Sequence, residues 1–210
     1  MNKKQLLSDL KSDLESRRDI PLIKSPNDVV FGDGNPDSRI LFIGEAAGYW
    51  ESVERKPFVG QSGKLLIKTL NEILGIKRED VYITNIVKAR PPENRDPLPE
   101  EIETFRPYLD KEIEIVDPKI IITLGRFSMG KFIPNVTISR VHGTPKLISF
   151  LGREITIVPM YHPAAALRGT TIMNAFKEDF IRLKEFLDLI DKSVVKEAKI
   201  EDNLNQMGLF

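Results

Sequence analysis

The chain lacks several kinds of residue and segment, and each absence excludes a class of protein. None of its 210 residues is cysteine, which excludes disulfides, a thiolate nucleophile, thiolate zinc sites and cysteine-ligated iron–sulfur clusters. Its two histidines, His142 and His162, have no second histidine or acidic residue at helical spacing, so no metal site is predicted. No apolar run approaches about 18 residues and the N-terminus is polar, which predicts a cytoplasmic protein without a membrane span or signal peptide.

The charges of the chain balance. Lysine plus arginine and aspartate plus glutamate each total 31, so contact with a nucleic acid would need a local basic patch. With 41% hydrophobic and 30% charged residues, the composition is that of a globular protein. The length suits one domain. We place it at residues 1–190, with an N-terminal helix at 1–16, and predict a flexible polar tail at 191–210.

Apolar segments and helical patterns alternate along the chain. Four short runs rich in isoleucine and valine, at 40–43, 81–87, 120–124 and 155–159, have the character of buried parallel strands. Helical periodicity occupies 62–74, 99–116, 126–132 and 173–190. This alternation predicts an α/β domain with a mostly parallel sheet, in which ligands bind beyond the carboxyl ends of the strands.

Three of the four predicted strands run directly into polar or glycine-rich segments, at 44–48, 88–92 and 161–163. Two common nucleotide-binding motifs are excluded here. The stretch from Gly60 to Leu65 lacks the first glycine and the final Ser or Thr of a phosphate-binding loop, and the stretch from Gly44 to Gly48 lacks dinucleotide-fold spacing. A different kind of site is therefore expected at this edge of the sheet.

Five residues near the strand ends are candidates for chemistry, and each also has an ordinary structural explanation. Glu45 and Glu51 belong to a loop between strand and helix, and Phe58 is equally typical of a core. Asn85 interrupts an apolar strand, where a structural hydrogen bond would satisfy its amide. His162 precedes a proline and suits a turn cap as well as a site.

Taken together, four ordered motifs resemble the thermophile-type (family four) uracil-DNA glycosylases over about residues 17–187. The match is specific because four segments agree in order and spacing, whereas each alone is short. The segments are Gly44-Glu45-Ala46-Ala47-Gly48, Pro57-Phe58-Val59-Gly60-Gln61-Ser62-Gly63-Lys64-Leu65-Leu66, Ile83-Thr84-Asn85-Ile86-Val87-Lys88-Ala89-Arg90-Pro91-Pro92-Glu93-Asn94-Arg95 and Tyr161-His162-Pro163-Ala164-Ala165-Ala166-Leu167.

The resemblance implies a three-layer α/β/α sandwich around a four-stranded parallel sheet. It also implies an enzyme that flips uracil out of single- or double-stranded DNA and hydrolyses its N-glycosidic bond in base-excision repair. By their positions in the motifs, Phe58 would stack on the base and Asn85 would read its edge, with Ala46 and Gly48 completing the base pocket. The implied catalytic residues are His162, which would stabilise the uracil anion, and Glu45 or Glu51, which would orient the water.

The resemblance also implies contacts with the DNA backbone. Lys88, Arg90, Arg95 and Arg126 lie near predicted strand ends and would supply the local basic patch, although such residues are equally often solvated surface charges. His142 occupies a position where related proteins usually carry arginine, so we count it among the DNA-binding candidates.

The chain departs from the family at the positions of a cofactor. The family normally holds a [4Fe-4S] cluster with four cysteines, and the motif alignment places Arg17, Ile20, Ala89 and Phe105 there. Since thiolates hold such clusters, we predict no cluster and no other cofactor. We expect apolar packing by Ile20, Ala89 and Phe105 in its place.

The loop after the first motif is altered too. Ala47 replaces a usual proline, and Tyr49 and Trp50 replace usual acidic residues. These changes leave a second reading open, in which the protein is a catalytically weak or inactive DNA-binding scaffold. A base other than uracil also remains a possible substrate.

The last residues resemble a short peptide that docks on the sliding clamp. In that motif a glutamine precedes an apolar residue by three positions and an aromatic residue follows, as Gln206, Leu209 and Phe210 do here. We predict a clamp as a second partner, although a frayed terminus would look the same.

Overall fold

The structure, a computed structural model, describes residues 2–206 and the side chains of residues 2–190 and 192. Within these residues the strands form one mixed sheet of six strands with the order β1-β3-β2-β4-β6-β5. The strands are β1 (Asp33–Gly34), β2 (Ile40–Gly44), β3 (Tyr82–Asn85), β4 (Ile120–Leu124), β5 (Lys146–Phe150) and β6 (Arg153–Met160).

The expected four-stranded parallel sheet is wrong in its strand number. The four predicted strands are the inner strands β3, β2, β4 and β6 and are mutually parallel, but β1 and β5 add antiparallel edges. The inner strands are mainly buried and rich in apolar residues because helices cover both of their faces. Strand β5 instead alternates between half-buried and exposed residues, so a search for continuous apolar runs misses it.

Helices cover both faces of the sheet, which confirms the predicted α/β class. On one face, α1 (Lys3–Ser16), α4 (Pro99–Val116) and α5 (Arg126–Phe132) share a hydrophobic core with alternate strand residues such as Leu41 and Ile43. On the other face, α3 (Gln61–Thr69) and α8 (Thr170–Gln206) pack on Ile40 and Phe42. The remaining α-helices of the described residues are short: α2 (Tyr49–Glu54), α6 (Ile138–Val141) and α7 (Pro163–Ala166). A π-helical turn at Leu70–Leu74 follows α3, and 3-10 turns occur at Pro26–Asp28, Arg78–Asp80 and Pro92–Asn94.

The last helix is longer than predicted. Helix α8 continues past residue 190, where the sequence places the start of the tail, and ends at Gln206. No glycine or proline occurs between 191 and 206, so nothing in the local sequence stops the helix. The predicted clamp-binding residues Leu209 and Phe210 lie outside the described residues, as does the side chain of Gln206.

The topology brings the loops that follow β2, β3, β4 and β6 to one edge of the sheet. All three polar segments singled out in the sequence start there, because each follows the carboxyl end of an inner strand. None of the helices described in the structure is both long and apolar enough to cross a membrane.

Candidate active site

A cavity of about 660 Å³ opens at the carboxyl edge of the sheet. Loops after all four inner strands contribute to its wall, as expected for a binding site in a parallel α/β sheet. The cavity brings together every residue that the motifs imply for catalysis and base binding: Glu45, Ala46, Gly48, Glu51, Phe58, Asn85 and His162.

Asn85 ends strand β3 at the bottom of this cavity. Asn85 is 2% exposed, and its Oδ1 has no hydrogen-bond partner among the described residues. Asn85 pairs with Gly44 across β2 and β3, and a Cβ on Gly44 would overlap both Oδ1 of Asn85 and the ring of Phe58. Because a buried amide oxygen without a partner is costly, this atom is an acceptor available to a ligand.

Phe58 lies in a loop that is fixed from two sides. Arg78 donates hydrogen bonds to the carbonyl oxygens of Pro57, at 2.6 Å, and Phe58, at 3.1 Å. The backbone of Phe58 has a positive φ of 56°, a conformation that non-glycine residues adopt rarely and that surrounding contacts must hold. Its ring centroid lies 5.8 Å from that of His162, so an aromatic face and an imidazole meet in one cavity.

His162 caps the N-terminus of α7. Its Nδ1 accepts the backbone N–H of Ala164 at 3.1 Å, which places the proton of a neutral imidazole on Nε2. Burial lowers the pKa of His162 to about 4, against a smaller raising effect of Glu51. The ring is therefore neutral near pH 7 and can offer an Nε2–H donor to a ligand.

Glu45 is the partly buried carboxyl group at the rim of the cavity. Burial, followed by the nearby Asp96, raises its pKa to about 7, while Arg126 and Arg168 oppose the rise. A carboxyl group with this pKa is present in both protonation states near neutral pH. Such a group is suited to accept a proton from water.

Glu51 is held differently, although it also lines the cavity. It is 8% exposed, and its Oε1 accepts the backbone N–H groups of Val59, at 2.9 Å, and Gly60, at 2.7 Å. One carboxylate oxygen is thus committed to the loop that carries Phe58. The sequence alone does not distinguish the roles of Glu45 and Glu51, but the two carboxyl groups have different surroundings in the structure.

Lys88 is not at the DNA surface, which corrects its assignment as a DNA-binding residue. It is fully buried and forms an ion pair with Glu112 of α4. Tyr82 and Thr84 also donate hydrogen bonds to this carboxylate, each at 2.9 Å. The partner is distant in sequence, so nothing local to Lys88 indicates its burial.

Arg90 and Arg95 lie beside the cavity and are already paired within the protein. Nε of Arg90 donates to Oδ1 of Asn94 at 2.8 Å. Arg95 lines the cavity and forms a two-bond pair with Glu101, at 2.6 and 2.9 Å. Both side chains remain partly exposed, so each keeps donors that face solvent.

His142 does not line the cavity, but contacts a residue that does. Its Nδ1 lies 2.8 Å from Oδ1 of the buried Asp179, and its ring centroid lies 4.6 Å from that of Tyr161. Burial raises the pKa of Asp179, and the bond to His142 opposes that rise. The side chain of His142 is 21% exposed, so its outer edge is accessible.

The motifs do not point to every residue of the cavity wall. Arg168, exposed just after α7, lines the cavity together with Asp96 and Ile172. Arg168 follows the last motif by one residue, and a positive charge next to a candidate site was the one signal that could have identified it.

The positions that replace the cluster cysteines do not fit an iron–sulfur cluster. Ile20, Ala89 and Phe105 are buried in the core, and Arg17 donates hydrogen bonds to Asp19 and Tyr108. None of these side chains offers a thiolate. Across the described residues, no group of three or more His, Cys, Asp or Glu side chains is arranged to hold a metal ion.

Comparison with known proteins identifies the family of this chain. The family model described as the Uracil DNA glycosylase superfamily matches residues 31–184. The chain belongs to this superfamily.

Among individual relatives, the chain is similar to proteins named Type-4 uracil-DNA glycosylase. It is 47% identical over 171 residues to the protein of Saccharolobus solfataricus, covering 79% of each chain. It is 42% identical over 186 residues to that of Sulfurisphaera tokodaii, covering 85% of this chain and 84% of the relative. For Archaeoglobus fulgidus the identity is 41% over 185 residues, with 85% and 92% covered. The resemblance inferred from the motifs is confirmed.

Proposed function

We propose that this protein is a uracil-DNA glycosylase whose cavity takes a uracil flipped out of DNA. Uracil presents a carbonyl oxygen, O4, next to an N–H group, N3–H. The amide of Asn85 complements both, because its Nδ2 donates to O4 while Oδ1 accepts from N3–H. The unpartnered Oδ1 of Asn85 is the single observation that carries this proposal. The ring of Phe58 stacks on the base.

His162 stabilises the leaving group. When the bond between C1′ and N1 breaks, its electron pair goes to uracil, and negative charge develops on O2. A neutral imidazole with its proton on Nε2 donates to this oxygen. A low pKa suits this role, because the ring then acts as a hydrogen-bond donor that is not itself charged before the reaction.

Glu45 handles the water. Its ionised form accepts a proton as the water oxygen bonds to C1′ and then passes that proton to solvent. The uracil anion takes up a proton as it leaves, so the products are free uracil and an abasic site. Glu51 holds the loop of Phe58 through Val59 and Gly60. Its buried negative charge also favours the positive charge that develops on the sugar.

Cations and one apolar side chain at the rim hold the DNA. Arg168 and Arg126 line the cavity and are exposed, so they reach phosphates without leaving the protein surface. Leu167, next to Arg168, is 47% exposed. An exposed apolar side chain at this place fills the gap that a flipped nucleotide leaves in the base stack.

This mechanism uses protein groups and water alone, and we propose that the protein works without an iron–sulfur cluster. Base release is measured by alkaline strand cleavage of oligonucleotides that contain uracil, hypoxanthine, xanthine or an abasic site, in single and double strands. Wild type is expected to release uracil in the presence of a chelator, while a variant carrying both Asn85→Ala and His162→Ala does not. DNA binding without base release in any context would support an inactive scaffold instead.

A further inference from the structure

Two large aromatic side chains are exposed directly beside the cavity. Tyr49 and Trp50 open helix α2, immediately after the cavity-lining segment Glu45 to Gly48, and they are 52% and 55% exposed. Their rings form an edge-to-face pair with centroids 5.2 Å apart. Neither side chain belongs to the hydrophobic core on either face of the sheet.

The pair lies between Arg90, which follows β3, and Gly60, which precedes α3. The guanidinium of Arg90 lies 5.1 Å from the ring centroid of Tyr49, and Arg90 is itself bonded to Asn94, a cavity residue. On the other side, a Cβ built on Gly60 would lie 3.5 Å from Cδ1 of Trp50. The aromatic surface is therefore adjacent to the cavity and carries a positive charge at its edge.

A rigid, exposed aromatic surface with an adjacent cation is how proteins bind unpaired nucleic-acid bases. Every base has a π-face that stacks on such a ring without regard to sequence, and arginine adds a cation–π contribution and a phosphate contact. In duplex DNA the bases next to the flipped nucleotide are already stacked, so an unpaired strand gains more from the platform.

We propose that Tyr49 and Trp50 form a platform that stacks an unpaired base of the strand next to the flipped nucleotide, so that the enzyme favours single-stranded DNA. The occupant is a single-stranded segment of the substrate. The proposal deepens the glycosylase function proposed above and rests on it for the position of the strand.

The platform is tested first by binding, without any base removal. Trp50 is the only tryptophan of the chain, so its fluorescence reports directly on stacking. Titration of the full-length protein with a uracil-free single-stranded oligonucleotide is expected to quench this fluorescence to saturation, and blunt duplex of the same sequence is expected to quench it less. If a saturating single strand leaves the fluorescence unchanged, the proposal is overturned, and the aromatic pair does not bind single-stranded DNA.

Variants then separate stacking from general surface effects. With a dye-labelled oligonucleotide, Trp50→Ala is expected to lose about tenfold in single-strand affinity, whereas Trp50→Phe keeps most of it. Leu147→Ala, which shortens a side chain that is 63% exposed on edge strand β5, serves as the control and is expected to change nothing. Equal losses for single strand and duplex in Trp50→Ala would contradict the proposal.

Catalysis provides the last readout. In Trp50→Ala, the ratio of kcat/KM for uracil in single strands to that in duplexes is expected to fall by about tenfold. An unchanged ratio in an active enzyme would contradict the platform. Absence of uracil release from wild type, with fluorescence quenching intact, would overturn the glycosylase function and leave the binding platform standing, so the two failures are distinguishable.

Discussion

Asn85 and Gly44 are direct neighbours across the parallel strands β3 and β2, and the missing side chain of Gly44 is what leaves room for the amide. A Cβ at position 44 would overlap Oδ1 of Asn85 and the ring of Phe58. The glycine therefore lets a hydrogen-bonding amide and an aromatic ring approach the same strand end. This relationship explains why the sheet edge presents a buried acceptor to the cavity.

The pH dependence of base release is expected to follow Glu45. Because burial raises its pKa to about 7, the ionised base is lost as the pH falls below that value. Wild-type kcat/KM for uracil DNA should rise with pH up to about 7 and then level. Glu45→Gln should be slower by at least about 100-fold and should lack this rise. His162→Gln should keep the rise of kcat/KM with pH, since the pKa of His162, about 4, lies below the pH range in which Glu45 ionises.

The stability of the same variant provides a check on that assignment. A carboxyl group whose pKa is raised by folding, here from 4.5 to about 7, stabilises the fold only while it is protonated. Its contribution is complete below about pH 4.5 and is lost as the pH rises through 7. Glu45→Gln should therefore unfold at higher urea concentration than wild type at pH 8, and equal midpoints there would contradict the pKa.

Lys88 is expected to matter for stability and not for DNA binding. Lys88→Met leaves the carboxylate of Glu112 buried without its cation, which costs about 3–5 kcal/mol in the free energy of unfolding. Adding Glu112→Gln removes that charge and should restore part of the loss. For folded Lys88→Met, the slope of the logarithm of DNA affinity against the logarithm of salt concentration should match that of wild type. Arg168→Gln should reduce this slope by about one. A reduced slope in Lys88→Met would indicate that Lys88 contacts DNA.

Iron analysis tests the absence of the cluster. Since Ile20, Ala89 and Phe105 pack in the core and the chain has no thiolate, the purified protein should be colourless and free of iron. Stoichiometric iron together with absorbance near 400 nm, where such clusters absorb, would contradict this expectation.

The predicted clamp-binding peptide is tested by truncation. Deletion of residues 206–210 removes Gln206, Leu209 and Phe210 and should abolish binding to the sliding clamp of the same cell in calorimetry. Uracil release from short oligonucleotides should be unaffected, because none of the deleted residues is among those proposed for catalysis or base binding. Clamp binding that survives the deletion would show that another surface is used.

The sequence predicts the inner sheet well and its edges poorly, for a physical reason. Inner strands such as Ile120–Leu124 are covered on both faces, and that strand is buried throughout and apolar except for Thr123, so such strands are visible as apolar runs. Strand β5 is an exposed edge that turns back into β6 through Leu151 and Gly152, both with positive φ. Its alternating pattern is typical of an edge strand in a hairpin, whereas a buried inner strand is marked by a continuous apolar run.

In the candidate site, too, the sequence predicts some features and misses others. Short motifs gather the cavity residues because each motif follows a strand whose end lies at the same edge. They do not show which carboxylate is free, since that depends on the backbone N–H groups of Val59 and Gly60 meeting Glu51. Nor do they show that Lys88 is buried, because its partner Glu112 lies 24 residues further along the chain.

The most direct test of the account is the single-turnover rate of uracil release by Asn85→Asp compared with wild type. The aspartate keeps the size of the side chain, but it has no N–H to donate to O4, and its carboxylate repels that oxygen. We expect release of uracil to fall by at least about 100-fold, with the affinity for uracil-free DNA little changed. Release at the wild-type rate would contradict the account, because Asn85 would then not read the base.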